Sequence, residues 1–130
     1  MKKIDIHFAL IRIMDTQTVL IQARDGVEID AGKSQKALEL IAKEMPADYG
    51  IIVDRKADYS IVPLEVYRVL NETDNLKAIA IALNGKRSVL PENTEKNLFR
   101  GELAIFQTIA EAHEWISRTM IEYKYYQSSS

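Results

Sequence analysis

Polar side chains that could bind or be modified follow one short apolar run of this sequence. The run 51–53 predicts a buried strand, and the residues directly after it are Asp54, Arg55, Lys56, Ala57, Asp58, Tyr59 and Ser60. A second helix is predicted to open close to Ser60, so this segment joins a strand to a helix. Open α/β sheets usually bind their ligands at such a junction. The candidate binding or regulatory surface therefore consists of Asp54, Arg55, Asp58, Tyr59 and Ser60.

Ser60 is the residue of this surface whose charge can be switched, because its hydroxyl can accept a phosphate. A phosphate at a helix N-terminus gains from exposed backbone N–H groups and from the helix macrodipole. A simpler interpretation is that Ser60 only caps the helix, which contributes about 1 kcal/mol. In a third interpretation Val62 is the cap and Pro63 the first helical residue, because proline disfavours helical geometry at the residue before it. Ser60 then lies outside the helix.

The other polar residues predict no catalytic centre. The acids and bases at 54–58 form either a recognition patch or a solvated loop whose ion pairs contribute little. The sequence has two histidines, His7 and His113, and neither belongs to a metal-binding or nucleophile motif. It has no cysteine, which excludes disulfides and thiolate ligands. The loop 85–88 lacks the phosphate-binding P-loop pattern. We expect no catalytic residue, no cofactor and no metal ion.

The elements that position these residues follow from hydrophobic periodicity. Alternating apolar residues predict a first strand over 4–10, and Asp30 and Pro46 bound the first helix. In chain order we predict strands at 4–10 and 18–23, a short extended segment at 27–29, a helix at 31–45, a strand at 50–53, a second helix carrying 64–70, a strand at 76–83, a helix at 91–99, a strand at 103–106 and a last helix that opens with capping-box spacing at 108–111. Alternation of this kind predicts an α/β fold with a mainly parallel sheet, an antiparallel N-terminal hairpin and helices on both faces.

Length and composition describe one domain. The chain has 130 residues, of which 47% are hydrophobic and 28% charged, so it is neither disordered nor membranous in composition. Apolar runs stay well short of the ~20 residues that span a bilayer. Asp5, His7 and Arg12 interrupt any signal-peptide core. We expect a single domain over 1–126, a disordered tail over 127–130 and a cytoplasmic location. A net charge of −2 with scattered bases predicts no nucleic-acid binding.

Three local patterns, taken in order, resemble the STAS domains. The segment 26–30, Gly-Val-Glu-Ile-Asp, is similar to the Gly-Glu-Leu-Asp turn of STAS proteins but is one residue longer. The strand 51–54 leads into a loop with Ser60 before a helix. The strand 104–106 and the segment 111–116, Glu-Ala-His-Glu-Trp-Ile, look like the strand and "EAxxWL" helix that close the stand-alone STAS/SEC14-like branch. The resemblance covers residues 1–118.

This resemblance implies a SpoIIAA-like fold and a regulatory, non-catalytic role like that of the bacterial anti-sigma-factor antagonists. In those proteins a serine at the start of the second helix is phosphorylated by a partner kinase. The unphosphorylated form docks onto that kinase and frees a sigma factor. The matching residue is Ser60, although its segment lacks the second hydroxyl and the glycine of the family pattern. The implied partner is an anti-sigma or kinase-like protein, and the implied phosphorylation site is Ser60.

A second hypothesis is that the chain carries or senses a small apolar, lipid-like ligand, as the SEC14-like relatives suggest. Met14, Met45 and Met120 would line an adaptable cavity between the last helices and the sheet. The aromatic residues at 123, 125 and 126 predict a homodimer contact, a docking strip over an apolar face or a disordered segment, and their clustering favours a contact. An enzyme is the third class of function, and it would need a polar cluster that the sequence does not display.

Overall fold

The computed structural model describes residues 2–87 and 92–129. Its elements in chain order are β1 (Lys2–Asp5), β2 (Ala9–Asp15), β3 (Thr18–Ala23), β4 (Glu28–Ile29), α1 (Ala31–Glu44), β5 (Tyr49–Asp54), β6 (Ser60–Ile61), α2 (Pro63–Asn71), β7 (Leu76–Ala82), α3 (Glu92–Leu98), β8 (Glu102–Phe106) and α4 (Ile109–Ser129). The predicted helix over 91–99 is confirmed as α3, while residue 91 itself lies outside the described residues. Within the described ranges, no helix is long and apolar enough to cross a membrane.

A mixed six-stranded sheet forms the centre of the molecule, in the order β1-β2-β3-β5-β7-β8. The first three strands pair antiparallel, and β3, β5, β7 and β8 pair parallel. The predicted α/β architecture, with its N-terminal hairpin at one edge, is therefore confirmed. Two short segments, β4 and β6, form a separate parallel pair beside the carboxyl end of β5.

The prediction of one strand over 4–10 is wrong. β1 ends at Asp5 and β2 begins at Ala9, because His7 takes a φ of 75° and turns the chain back on itself. The Asp5 carboxylate supports the turn by accepting from the His7 backbone N–H at 3.1 Å. Ile6 and Phe8 are both buried within the turn. Their burial produces the same alternation as a strand, which is why the sequence pattern did not reveal the break.

Two helix starts match the sequence prediction in atomic detail. Asp30 caps α1 by accepting from the backbone N–H of Lys33 at 3.0 Å, and α1 ends before Pro46. Thr108 accepts from the backbone N–H of Glu111 at 3.1 Å at the start of α4. The backbone of α4 continues through residue 129, and residue 130 lies outside the described residues. The disordered tail over 127–130 stays a prediction.

Helices cover both faces of the sheet. α1, α2 and α3 lie on one face, which we call the α1–α2 face, and α4 lies on the other, the α4 face. Successive residues of the central strand point to opposite faces, so Ile51 belongs to the α1–α2 face and Ile52 to the α4 face. The carboxyl ends of β3, β5 and β7 meet at one edge, where the candidate surface lies.

Candidate functional site

Asp54 stands at the carboxyl end of β5 and is only 5% exposed. One of its oxygens accepts from Gln22 Nε2 at 3.0 Å. The other accepts from the Lys56 backbone N–H at 2.9 Å and from Asn84 Nδ2 at 3.2 Å. These donors come from β3, from the loop after β5 and from the loop after β7. Asp54 therefore ties three segments together, and its lone pairs are used for structure.

Arg55 points away from Asp54 into a buried polar cluster. Its Nη2 donates to Glu95 Oε1 at 2.7 Å, and the Tyr67 hydroxyl donates to the same oxygen at 2.8 Å. Glu95 is 3% exposed, so its charge needs both donors. The guanidinium carbon also lies 6.0 Å from the centre of the Tyr59 ring, within cation–π distance. A loop, α2 and α3 thus meet at one buried ion pair.

The two phenols of this cluster are held in their neutral form. Burial raises the pKa of Tyr67, and the charge of Glu95 raises it further. Burial also raises the pKa of Tyr59, although the positive charge of Arg55 opposes that shift. Both hydroxyls keep their protons at neutral pH. They can donate hydrogen bonds here, and neither can serve as a base.

The loop that carries Asp58 is fixed to its neighbours on two sides. The Asp58 backbone N–H donates to the Asp25 carboxylate at 2.7 Å, and its carbonyl accepts from Gly26, which has a positive φ of 80°. The Asp58 carboxylate meets Lys86 Nζ at 2.7 Å, and this hydrogen bond raises the pKa of Lys86. The loop between β5 and β6 is therefore held in one conformation although its tip is exposed.

Ser60 lies in β6, outside helix α2. Its backbone N–H donates to the Val27 carbonyl at 3.0 Å, and its register partner in β4 is Glu28. The N-cap of α2 is Val62, and Pro63 is the first helical residue. The interpretation that Ser60 caps the helix is wrong, because Pro63 moves the helix start past it. A phosphate on Ser60 would face the Glu28 side of the β4–β6 pair.

The five predicted surface residues do not converge on one point. Arg55 and Tyr59 share a buried environment, Asp54 belongs to a separate hydrogen-bond cluster, and Asp58 and Ser60 are exposed. The sequence analysis missed Glu95 and Tyr67, which complete the cluster around Arg55. No local spacing could have found them, because they are separated from Arg55 and from each other by long stretches of chain.

A cavity of about 100 Å³ lies between the sheet and helices α1 and α2. Its walls are apolar apart from one end, where Arg55, Tyr59 and Tyr67 meet, and the α1 residues Lys33 and Ser34. The apolar side chains that line it include Phe8, Ala9, Ile21, Ile51, Val66 and Ile79. It is an interior space with a polar end, on the α1–α2 face.

The predicted position and lining of this cavity are wrong. It lies on the α1–α2 face, opposite the last helix, and its lining does not include Met14, Met45 or Met120. Met45 and Met120 are instead buried in the core. Unbranched methionine side chains adapt to irregular gaps and fill them. The branched and aromatic side chains of the α1–α2 face leave the space that remains.

A second cavity, of about 150 Å³, adjoins the first at the carboxyl edge. The two share Arg55, Tyr59 and Ile61 in their linings. The outer one is also lined by the basic residues Lys86 and Arg87 and by Asp58. An apolar interior space therefore lies beside a basic pocket between the loops that follow β5 and β7.

The histidines lie away from this edge. His113 Nε2 is 2.7 Å from Asp15 Oδ2 and joins α4 to the end of β2. His7 occupies the turn between β1 and β2. Among residues 2–87 and 92–129, no group of three acidic, histidine or cysteine side chains could hold a metal ion.

No family model, curated protein or solved structure matches this chain significantly. Any function therefore has to be argued from the geometry at the carboxyl edge and from the resemblance in the sequence.

Proposed function

We propose that this chain is a non-catalytic binding module of STAS type that docks a protein partner in the bacterial cytoplasm. The docking surface consists of the exposed loop tip at Asp58, of Ser60, and of the apolar strip 61–64 that leads into α2. The observation that carries the proposal is Leu64, which is 74% exposed on the first turn of α2.

Leu64 does not stand alone at the surface. Ile61, Val62 and Pro63 directly before it are only half-buried, so four consecutive apolar residues reach solvent next to the loop. Contiguous exposed apolar surface of this kind favours a contact with another protein. The loop beside it is already ordered by the bonds of Asp58 to Asp25 and Lys86. A partner would therefore lose little conformational entropy of the loop on binding.

The hydrogen-bond accounting supports a role without catalysis. Asp54 accepts from three donors, and Glu95 accepts from two. Both carboxylates are buried and are engaged in holding segments of the fold together. A general base must instead be placed where it can reach a substrate proton.

Ser60 gives this surface a switch. Phosphorylation would place two further negative charges opposite Glu28 in the β4–β6 pair. Like charges directly opposite each other in paired strands are destabilising. Phosphate on Ser60 would therefore loosen β6 and displace the apolar strip that follows it. A kinase-like partner, as in the resembling family, could then be released by the modification it makes.

The test is quantitative affinity capture from the host lysate with matched variants. We expect Leu64→Asp and Ser60→Asp to lose a protein that the parent captures, whereas Ser60→Ala keeps it. Ile121→Asp is the control, since Ile121 is also well exposed but lies on α4, far from the loop in the chain. Adding Glu28→Gln to Ser60→Asp should restore part of the capture. Identical captured proteins for the parent and Leu64→Asp would overturn the docking surface.

A second candidate function is the binding of a small apolar ligand. The observation that favours it is the interior cavity on the α1–α2 face, whose walls are almost entirely aliphatic and aromatic. Apolar cavities with a few polar groups at one end are typical of small-molecule sites. The homodimer expected from the aromatic residues of α4 stays a prediction.

A further inference from the structure

We propose that the two adjoining cavities form one site for a small amphipathic anion, with an apolar tail inside and an acidic head at the carboxyl edge. This inference rests on the second candidate function and specifies its ligand. The inner cavity would hold the tail between α1, α2 and the sheet. The outer pocket would hold the head, and the ligand would cross between them beside Arg55, Tyr59 and Ile61, which line both cavities.

The size of the inner cavity limits the tail. It measures about 100 Å³. An engineered apolar cavity of about 150 Å³ is large enough to bind benzene. The inner cavity is smaller than that, so the tail is a short alkyl chain, and the long chains of a membrane lipid exceed the space. The aliphatic walls give such a tail no hydrogen-bond partner, so binding would be driven by removal of apolar surface from water.

The head group is indicated by Arg55. A guanidinium has five N–H donors, and one of them, on Nη2, is used by Glu95. Its Nε is buried and finds no hydrogen-bond partner anywhere in the described part of the chain. Buried donors in proteins are nearly always paired, so this donor leaves the guanidinium incompletely satisfied. The residue lines both cavities, which places its guanidinium group between them.

The charges of the outer pocket favour an anion over a cation. Its basic lining residues are Arg55, Lys86 and Arg87. The carboxylates near them are engaged, since Asp58 meets Lys86 at 2.7 Å and Glu95 meets Arg55 at 2.7 Å. Lys86 and the guanidinium of Arg55 both line the pocket that an entering oxygen would occupy. A carboxylate and a phosphate share this chemistry, with two or more acceptor oxygens on one charged centre.

The experiment uses the full chain and isothermal titration calorimetry with three probes that share a four-carbon alkyl chain. These are pentanoate, butyl phosphate and the uncharged butan-1-ol. We expect either anion to bind at least ten-fold more tightly than the alcohol. Lys86→Gln should weaken anion binding about five-fold, and Lys3→Gln, an exposed change on β1, should leave it unaltered. Ala9→Val, which narrows the inner cavity, should weaken all three probes.

The outcomes separate the ligand class from the function on which it rests. Tight binding of pentanoate alone identifies a carboxylic acid, and tight binding of butyl phosphate alone identifies a phosphate ester. Either result supports the proposal if Lys86→Gln and Ala9→Val reduce it. Equal binding of the alcohol overturns the acidic head and leaves an apolar ligand site. No binding by any probe overturns both the head group and the second candidate function.

Discussion

The two faces of the central sheet differ in the size of the side chains that they present to the helices. The α4 face presents small residues to its helix, namely Gly50, Ala78, Ala80 and Ala82. The α1–α2 face presents large ones, including Ile51, Ile79 and Ile81. The cavity lies on the face with the large side chains. Bulk at the sheet surface therefore does not mean close packing in this molecule.

Gly50 shows why the small residues matter. A Cβ atom at this position would lie 2.8 Å from Ile116 Cγ2, so α4 rests almost on the backbone of β5. The residues of α4 that face the sheet recur at every fourth position. They are all fully buried, namely Ala112, Ile116 and Met120. On the other face α1 and α2 stand further from the central strands than α4 does. The cavity occupies the space between these two helices and the sheet.

The two faces also differ in the features that they carry. The α4 face fixes the sheet, whereas the α1–α2 face combines the cavity, the Arg55–Glu95 cluster and the apolar strip before α2. Cores are packed as densely as organic crystals, and cavities cost stability. A ligand of the proposed kind would fill this cavity and offset part of that cost.

Two neighbouring isoleucines of β5 test the difference in packing between the two faces most directly. Ile52 is fully buried under α4, and Ile51 is buried on the other face, where it lines the cavity. We expect Ile52→Ala to lower the free energy of unfolding by about 4 kcal/mol and Ile51→Ala by about 3 kcal/mol. Ile51 already lacks packing partners on its cavity side, so truncation removes fewer contacts. Urea unfolding measures both values, and equal losses would show that the two faces are packed alike.

Adding atoms should also cost more stability on the α4 face than on the α1–α2 face. Gly50→Ala forces a methyl group against Ile116 and the Ala78 carbonyl, and we expect a loss of about 2 kcal/mol. Ala9→Val places two methyl groups in the cavity at a strand position that suits a β-branched residue. We expect it to change stability by no more than about 0.5 kcal/mol in either direction. Thermal unfolding of both variants measures the contrast. A large loss for Ala9→Val would mean that the cavity cannot accept added atoms.

Much of the scaffold could be predicted because it is encoded locally. Asp30, Pro46 and the Thr108–Glu111 pair mark helix ends through residues close to them in the chain. The apolar run 51–53 marks a central strand without any knowledge of its neighbours. Such signals fail where two structures share one pattern. The turn at His7 buries the same alternate residues that a strand would bury, so periodicity alone could not reveal it.

The site was predicted only as a location. The carboxyl end of β5 follows from strand and helix order, but the partners of Arg55 come from distant parts of the chain. Glu95 is 40 residues from Arg55, and Tyr67 is 28 residues from Glu95. Nothing in local spacing specifies such contacts, since they depend on how helices pack over the sheet. The cavity is likewise a consequence of packing, and none of the methionines proposed to line it does so.

Two buried tyrosines of the α1–α2 face allow the removal of a paired hydroxyl to be compared with the removal of an unpaired one. The Tyr67 hydroxyl donates to buried Glu95, whereas the Tyr49 hydroxyl finds no hydrogen-bond partner within residues 2–87 and 92–129. Tyr67→Phe removes a donor from a buried charge, so we expect a loss of about 1.5 kcal/mol. Tyr49→Phe removes a hydroxyl that was desolvated without compensation, so we expect a gain of about 1 kcal/mol. Urea unfolding at pH 7 measures both changes.

The free energy of unfolding above pH 10 tests independently whether the Tyr49 hydroxyl is buried. Burial raises the pKa of Tyr49 from 10.0 to about 12. Because the folded state holds this proton more tightly than the unfolded state, the associated stability is complete below pH 10 and is lost as the pH rises towards 12. Tyr49→Phe has no such proton, so its advantage over the parent should grow between pH 10 and 11.5. An advantage that stays constant over this range would mean that the Tyr49 hydroxyl reaches water in the folded protein, and that this part of the α1–α2 face is open.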